Sequence, residues 1–281
     1  MFNLKTQQAK AKIFRDLHHN GKLLVLPNIW EPLGAALIEN LGFPAIATAS
    51  ASIAFTNGYD DGENISFNDL IKLLEKITAA VDIPVTADIE SGYANTETEL
   101  SKNIERLIQS GIVGINIEDY NKKEDTFFDV ERQCERIRLI RNISADNGVP
   151  LFINARTDVY SKAQHLTDKE KFEEAVKRGR AYMQAGSDCF FPLAIKNRED
   201  IQQLITELHC PVNIIAVPGL PDLQTLQDLG VARVSLGPSL LKIAIRAMKE
   251  MALKLKNYQG LEEITGNEIT TDYLKSLINK N

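Results

Sequence analysis

The stretch PVTADIESGY, residues 84–93, decides how the rest of the chain is interpreted. Its first residues, Pro84 to Ala87, are typical of a buried strand, and two acids follow, Asp88 and Glu90. Because residues i and i+2 of a strand point to the same face, we expect the two carboxylates to lie side by side at the strand's carboxyl end. Like charges at that spacing repel each other, so a compensating cation is expected nearby.

Short apolar runs recur along the whole chain, and a helical pattern separates each run from the next. The runs lie at residues 22–27, 45–50, 84–90, 114–119, 151–158, 189–195, 212–218 and 233–238. Strands that alternate with helices predict right-handed βαβ crossovers and a parallel sheet. Eight such units within about 240 residues favour an α/β fold of the (β/α)8 TIM-barrel type. An open doubly wound sheet is the alternative, although no GxGxxG motif follows the first run.

No internal linker interrupts this pattern, so we expect one domain over residues 1–281. The barrel occupies about 22–256, with an extra N-terminal helix before it and a C-terminal helical tail after it. The chain is 44% hydrophobic and 25% charged, with a net charge of −6, which is typical of a globular protein and unlike the basic surface of a nucleic-acid binder.

The cysteine spacing and the shortness of the apolar runs indicate the cellular compartment of the protein. Cys134, Cys189 and Cys210 are far apart and lack CxxC spacing, which predicts buried thiols in a reducing environment and argues against a disulfide set or a zinc site. No signal-type run is present, and no segment approaches about 18 continuous apolar residues. We therefore expect a cytoplasmic protein that does not interact with membranes.

Polar residues collect at one end of the predicted strands. They are Ser50 at the end of the second run and Asp61 in the loop after it, Asp88 and Glu90 in the third, Glu118 and Asp119 in the fourth, and Asn154, Arg156 and Asp158 in the fifth. In a (β/α)8 barrel the carboxyl ends of the strands form the active site, so this asymmetry predicts a catalytic mouth.

Three of these acids, Asp88, Glu90 and Glu118, come from neighbouring strands and are expected to converge. An all-oxygen set of this kind suits Mg²⁺, with Mn²⁺ as an alternative, because Mg²⁺ keeps several waters and binds one or two carboxylates directly. Solvated acids, or acids paired with lysines, are the other interpretation. Arg156 suits a substrate carboxylate or a developing oxyanion, or else a structural pair with Asp158 or Glu118.

The motifs TADIESGY, GINIED and INARTD, in this order, resemble the isocitrate lyase/phosphoenolpyruvate mutase superfamily. The segment LPNIWEPLGAALIENLGFPAIATASASIA resembles the opening of that family, and the similarity extends from about Leu23 to Ser239. The resemblance implies a (β/α)8 barrel, Mg²⁺ and a 2-oxo or 2-hydroxy acid substrate. It also implies an enolate-like intermediate and a tetramer built from dimers that exchange their last barrel helix.

The resemblance assigns a role to each matching residue. Asp88 matches the direct metal ligand, while Glu90 and Glu118 match acids that hold metal-bound water or support the site. Asp61 matches the acid of the loop after the second strand, and Arg156 matches the arginine on the substrate. Ala49 and Ser50 fall in the carboxylate-binding turn, where many relatives have serine first, and Asn154 is a further substrate-binding candidate.

The loop after the fourth strand departs from the family. It reads Tyr120-Asn121-Lys122-Lys123-Glu124-Asp125, with neither the Lys-Lys-Cys-Gly loop of isocitrate lyases nor the Lys-Thr-Asn-Ser stretch of the mutases. Isocitrate cleavage through a cysteine and phosphoryl migration are therefore disfavoured. Lys122 is a candidate gate or acid, and a solvated lysine pair is the alternative.

These observations predict a Mg²⁺-dependent lyase that cleaves a C–C bond of an oxaloacetate- or 2-methylisocitrate-type acid through an enolate. Three alternatives stay open: a P–C bond enzyme of the phosphoenolpyruvate mutase or phosphonopyruvate hydrolase type, a Schiff-base aldolase using Lys196, and a non-catalytic barrel that binds small acids. The segment 239–256 carries an apolar arc wider than one barrel side requires. We expect a homodimer or homotetramer that exchanges this helix, unless the tail, residues 257–281, covers it.

Overall fold

A computed structural model of the chain describes residues 3–279. Within them the strands are β1 (Leu24–Leu26), β2 (Asn28–Ile29), β3 (Ile46–Thr48), β4 (Val85–Asp88), β5 (Gly114–Glu118), β6 (Tyr120–Asn121), β7 (Thr126–Phe127), β8 (Phe152–Thr157), β9 (Cys189–Pro192), β10 (Asn213–Ile215) and β11 (Arg233–Ser235). The helices are α1 (Leu4–Leu17), α2 (Pro32–Asn40), α3 (Ser50–Thr56), α4 (Phe67–Ala80), α5 (Glu97–Gln109), α6 (Val130–Asp146), α7 (Val159–Lys162), α8 (Asp168–Gln184), α9 (Arg198–Leu208), α10 (Leu223–Asp228), α11 (Ser239–Lys256), α12 (Leu261–Thr265) and α13 (Thr271–Ile278).

The strands pair in parallel, in chain order. β2, β3, β4, β5, β8 and β9 form one six-stranded sheet, and β1, β11 and β10 form a second sheet. A bridge between Phe190 and Val212 joins β9 to β10, and only Pro27 separates β1 from β2. Each of the eight predicted runs contains a strand, so the predicted α/β class with parallel strands is confirmed. The antiparallel hairpin of β6 and β7 in the loop after β5 was not expected from the sequence.

Alternation along the strands separates an outer apolar layer from a polar interior. In β5, Ile115 and Ile117 pack in the core beneath the helices, whereas Asn116 and Glu118 take the other face. The register pairs Asn116 with Asn154 and Glu118 with Arg156 on β8. The Nδ2 atom of Asn154 donates to Oδ1 of Asn116 at 2.8 Å, so the polar interior begins one layer below the strand ends.

Helix α1 closes the amino end of the strands. Phe14 and His18 pack on Phe152, the first residue of β8, with ring centroids 5.2 and 4.1 Å away respectively. Burial lowers the pKa of His18 to about 3, so its ring is neutral here at physiological pH. Because α1 covers this end, the carboxyl ends of the strands are the accessible side of the sheet.

Helix α11 leaves its apolar side uncovered. Against the described chain it buries Leu241, whereas Ile243, Ile245 and Met248 are 53%, 52% and 67% exposed. The tail does not cover them, since α13 packs on α2 and buries Leu277 there. None of the helices within residues 3–279 is long and apolar enough to cross a membrane.

Candidate active site

Four polar side chains meet at the carboxyl ends of neighbouring strands. Ser50 begins α3 after β3, Asp88 ends β4, Glu118 ends β5 and Arg156 lies near the end of β8. The hydroxyl of Ser50 donates to Oδ2 of Asp88 at 3.2 Å. Nη1 of Arg156 lies 2.9 Å from Oε2 of Glu118 and 3.9 Å from Oδ2 of Asp88. The structure therefore brings these predicted residues together.

Lys122 inserts a second cation among the acids. Its Nζ atom lies 2.8 Å from Oδ2 of Asp61, 2.8 Å from Oε2 of Glu90 and 3.7 Å from Oε1 of Glu118. Burial disfavours the charge of Lys122, but Glu118, Glu90 and Asp61 outweigh that effect and raise its pKa. The repulsion anticipated between the acids is thus compensated by Lys122 and Arg156 within the chain itself.

Glu90 does not continue the strand beside Asp88. β4 ends at Asp88, and Glu90 adopts a left-handed backbone with φ of 50°. Its Oε1 accepts the backbone N–H of Glu63 at 2.8 Å and the hydroxyl of Tyr93 at 3.2 Å. Burial raises the pKa of Glu90, with Lys122 opposing the rise. The expected side-by-side strand geometry of the two acids is therefore wrong, because the chain turns after Asp88.

Arg156 is held as a rigid fork. Its Nε donates to Oδ1 of Asp158 at 2.7 Å and its Nη2 to Oδ2 at 2.9 Å. The side chain of Arg156 is 10% exposed, and Nη1 faces Glu118 and Asp88. Burial opposes its charge, but Asp158, Glu118 and Asp88 outweigh burial and raise its pKa. Both structural pairs considered from the sequence are present, and one nitrogen still faces the mouth.

The turn after β3 differs in detail from the sequence interpretation. The N–H of Ala49 donates to the carbonyl of Ile29 at 3.3 Å, so the sheet uses it and it is not free for an anion. Ile53 makes the first helical bond of α3, to the carbonyl of Ala49. The N–H groups of the first turn, Ser50 to Ser52, precede that bond and therefore have no acceptor within the helix.

Three other predicted residues lie at different depths. Asn154 is fully buried one layer below the mouth, bonded to Asn116. Asp119 faces away from the site, since it alternates with Glu118, and its Oδ2 accepts from Arg178 at 2.9 Å and Tyr182 at 2.8 Å. Lys196 is exposed just before α9, without the apolar burial that activates Schiff-base lysines.

The oxygen atoms of the site suit one hydrated Mg²⁺. Among residues 3–279 no group of three acid, histidine or cysteine side chains is arranged to hold an ion. Mg²⁺ does not require such a group, because it binds one or two carboxylates and keeps its waters. Asp88 is 13% exposed, whereas Glu118 is 1% exposed, and its two buried carboxylate oxygens are ion-paired with Arg156 and Lys122. Asp88 is thus the more accessible of the two carboxylates.

The residues that the sequence interpretation missed support this site from behind. Glu63 accepts the Ser91 hydroxyl and the Tyr93 N–H, both at 2.7 Å, and so joins the loops after β3 and β4. Glu63 lies in a polar loop, where the sequence does not distinguish it from a solvent-exposed acid. The sequence placed Asp158 at the mouth and considered it as a structural partner of Arg156, but it did not indicate that both carboxylate oxygens of Asp158 would hold the arginine from just beyond the end of β8.

Comparison with known proteins shows the family of the chain. The family model described as phosphoenolpyruvate phosphomutase matches residues 14–256. The chain belongs to the isocitrate lyase/phosphoenolpyruvate mutase superfamily. The predicted family is thereby confirmed, and named homologues within the superfamily are lyases.

Relatives in this superfamily cover most of the chain. An uncharacterized protein of Mycobacterium tuberculosis H37Rv is 33% identical over 80% of this chain and 81% of its own length. The oxaloacetate decarboxylase of Pseudomonas entomophila L48 is 28% identical over 83% and 80%. The 2-methylisocitrate lyase of Aeropyrum pernix is 27% identical over 71% and 63%.

A solved structure shares the fold of this superfamily member. A Burkholderia cenocepacia J2315 protein, provisionally named a phosphonomutase, is 37% identical and superposes with a TM-score of 0.81. The match covers 88% of this chain and 99% of that protein.

Proposed function

We propose that the protein is a Mg²⁺-dependent lyase that cleaves a C–C bond of a 2-oxo or 2-hydroxy acid through an enolate. The observation that carries this proposal is the convergence of Ser50, Asp88, Glu118 and the fork-held Arg156 at one set of strand ends. Oxaloacetate- and 2-methylisocitrate-type acids are the favoured substrates, because two relatives carry the corresponding names.

Asp88 would hold the metal directly, with Glu118 and Glu90 reaching it through water, and the metal would act as a Lewis acid toward the enolate oxygen. Arg156 supports the same charge from the chain itself. Its Nη1 faces the mouth, and its other nitrogens are fixed on Asp158, so no reorganisation is needed when negative charge develops on the substrate. Ser50 and the first turn of α3 would orient the substrate carboxylate.

Lys122 would close the site and supply a charged donor. Its contacts with Asp61, Glu90 and Glu118 connect the loops after β3, β4 and β5 across the mouth. A loop held in this way excludes water from a reactive enolate. Because its pKa is raised, Lys122 holds its proton tightly and stays charged at neutral pH, so it is suited to stabilise negative charge on the substrate by a hydrogen bond rather than to transfer a proton.

The test is a panel of 2-oxo and 2-hydroxy diacids assayed with Mg²⁺ for release of pyruvate, glyoxylate or a related oxo acid. Turnover of at least one acid that stops in excess EDTA supports the proposal. Absence of turnover across the panel, with the protein folded, would overturn it.

Cleavage of a P–C bond is the second candidate function. The similarity at 37% identity to the provisionally named phosphonomutase favours it, since the same arginine and acids would bind a phosphonate-bearing 2-oxo acid. The missing Lys-Thr-Asn-Ser stretch argues against it. Including phosphonopyruvate in the panel and measuring both inorganic phosphate and phosphoenolpyruvate separates P–C cleavage, by hydrolysis or by rearrangement, from C–C cleavage.

We infer that residues 1–281 form a single domain, in which the strands close into one eight-stranded barrel over about 22–256. The Phe190–Val212 bridge and the continuity of β1 and β2 across Pro27 support closure, because they join the two sheets at both ends.

We also infer a homodimer or homotetramer in which α11 packs on the partner's barrel. Its exposed Ile243, Ile245 and Met248 support this arrangement, because an apolar side of that length is rarely left in water. The described tail packs elsewhere, on α2, and leaves this side free.

A further inference from the structure

The orientation of the Arg156 guanidinium depends on the carboxylate of Asp158. Asp158 is 1% exposed, and both of its oxygens accept from Arg156, at 2.7 and 2.9 Å. The two side chains stand two residues apart, across the end of β8. Paired in this way, the planar guanidinium cannot rotate, and Nη1 is directed toward Glu118 and Asp88.

Asp158 is itself held from outside the site. Its backbone lies in the sparsely populated region between helix and strand, with φ of −98° and ψ of 16°. Its N–H donates to Oδ1 of Asp119 at 3.2 Å, and its carbonyl accepts from the N–H of Lys162 at 2.8 Å. The first bond fixes Asp158 to the strand end of β5, and the second begins α7.

Asp119 is the centre of a fully buried cluster. Its Oδ2 accepts from Nη1 of Arg178 at 2.9 Å and from the hydroxyl of Tyr182 at 2.8 Å, both on α8. Its carbonyl accepts the N–H of Phe128 at 2.9 Å, and Nη1 of Arg178 donates to the carbonyl of Phe128 at 3.1 Å. One cluster therefore holds both Asp158 and the end of the loop over the site.

We infer that Asp158 is the positioning residue for Arg156, and that the cluster of Asp119, Arg178 and Tyr182 holds Asp158 in place. Residues of α8, on the outer side of the strands, thus fix the orientation of the Arg156 guanidinium through Asp119 and Asp158. The inference rests on the proposed function for the substrate role of Arg156. It assigns no direct substrate contact to Asp158.

A double-mutant cycle on kcat/KM tests this coupling in the full-length protein with Mg²⁺ and the best acid of the panel. The variants are Asp158→Asn, Arg156→Lys and the double variant. We expect Asp158→Asn to lower kcat/KM by roughly 10–100-fold, as loss of a supporting residue does. In the Arg156→Lys background, Asp158→Asn should lower kcat/KM by less than about threefold, because Asp158 acts on the reaction by orienting the guanidinium that this background lacks. Additive losses would overturn the inference.

Asp188 provides a matched control at the other end of the strands. Its carboxylate pairs with Arg15 at 2.7 Å and Arg141 at 2.5 Å, and it accepts the N–H of Ile153 at 2.8 Å. Asp188→Asn also removes a mostly buried, arginine-paired charge, so it should lower Tm while kcat/KM stays within about twofold of wild type. An equal loss of kcat/KM in this variant would show a general structural effect and overturn the inference.

A second readout needs no substrate. The Nε–H of Arg156, assigned in ¹⁵N NMR spectra by its loss in Arg156→Lys, should be protected from exchange in wild type and Asp188→Asn. In Asp158→Asn we expect at least tenfold faster exchange. Unchanged exchange would overturn the inference even if the panel finds a substrate. Faster exchange with no turnover of any acid supports the positioning and refutes the proposed function alone.

Discussion

The ammonium nitrogen of Lys122 lies 2.8 Å from a carboxylate oxygen of Glu90, so a cation from the loop after β5 rests on the acid that follows β4. The same nitrogen contacts Asp61 at 2.8 Å, which joins the loop after β3 to this pair. In the proposed reaction this lysine competes with the metal for the acids of the site.

Removing the Lys122 ammonium should increase the affinity for Mg²⁺ and decrease turnover. In Lys122→Met the negative charge of Asp61, Glu90 and Glu118 is less compensated, so we expect Mg²⁺ affinity to rise by about tenfold, as for an interaction of roughly 1.4 kcal/mol. Calorimetric titration with Mg²⁺ measures this. Lys123→Met is the control, since Lys123 is 55% exposed and pairs with Glu63 at 3.4 Å. Equal Mg²⁺ affinity in wild type and Lys122→Met would contradict the role given to Lys122.

Much of this arrangement follows from the sequence, because consecutive parallel strands place their carboxyl ends at one edge. That rule alone predicts the meeting of Asp88, Glu118 and Arg156. The insertion of Lys122 depends on the path of an irregular loop, which no periodicity encodes. The position of Glu90 depends on a left-handed backbone at φ of 50°, which a non-glycine residue seldom adopts.

Two other differences have local causes. Asp119 follows Glu118 directly, so strand alternation turns it toward α8, and applying that alternation strictly would have removed it from the mouth. The N–H of Ala49 is used by Ile29 because the pairing of β2 with β3 continues one residue past the strand. Neither contact is visible before the register of the strands is known.

Replacing the arginine fork by a single ammonium should be costly. Arg156→Lys keeps the charge but cannot bind Asp158 through two nitrogens and still face the mouth. We expect kcat/KM to fall by at least ~10²-fold, in line with about 2.7 kcal/mol for a lost oxyanion donor. Steady-state kinetics on the best acid of the panel measure it. A loss below threefold would reassign Arg156 to a purely structural pair.

Acid should destabilise the fold through His18. Burial lowers the pKa of His18 from 6.5 to about 3. Between these pH values the histidine is protonated in the unfolded chain and neutral in the folded protein. The contribution of neutral His18 to the free energy of unfolding is therefore fully present above about pH 6.5. It falls as the pH falls, and the free energy of unfolding is lower by about 2 kcal/mol at pH 5. Urea unfolding at pH 7 and pH 5 measures the difference. His18→Phe should remove this part of the pH dependence, and His19→Gln, at an exposed neighbour, should retain it. The same slope in His18→Phe and wild type would refute the assignment.

The apolar side of α11 should control assembly. Met248 is 67% exposed, so an acid there is tolerated by the isolated chain but not in an apolar interface. We expect Met248→Asp to shift the protein toward monomers at micromolar concentration, measured by light scattering. Arg246→Asp, at a 71% exposed position that pairs with Glu250, should leave the mass unchanged. A wild-type monomer that is fully active would refute the exchanged helix.

The central claim is that Asp88 holds the metal that makes C–C cleavage possible. The most direct measurement is the rate of oxo-acid release from the panel by wild type and by Asp88→Ala, each in Mg²⁺ and in excess EDTA, with circular dichroism confirming both folds. The account predicts turnover by wild type in Mg²⁺ alone, and a loss of at least ~10²-fold in Asp88→Ala together with loss of calorimetric Mg²⁺ binding. Full turnover by folded Asp88→Ala, or by wild type in EDTA, would contradict it.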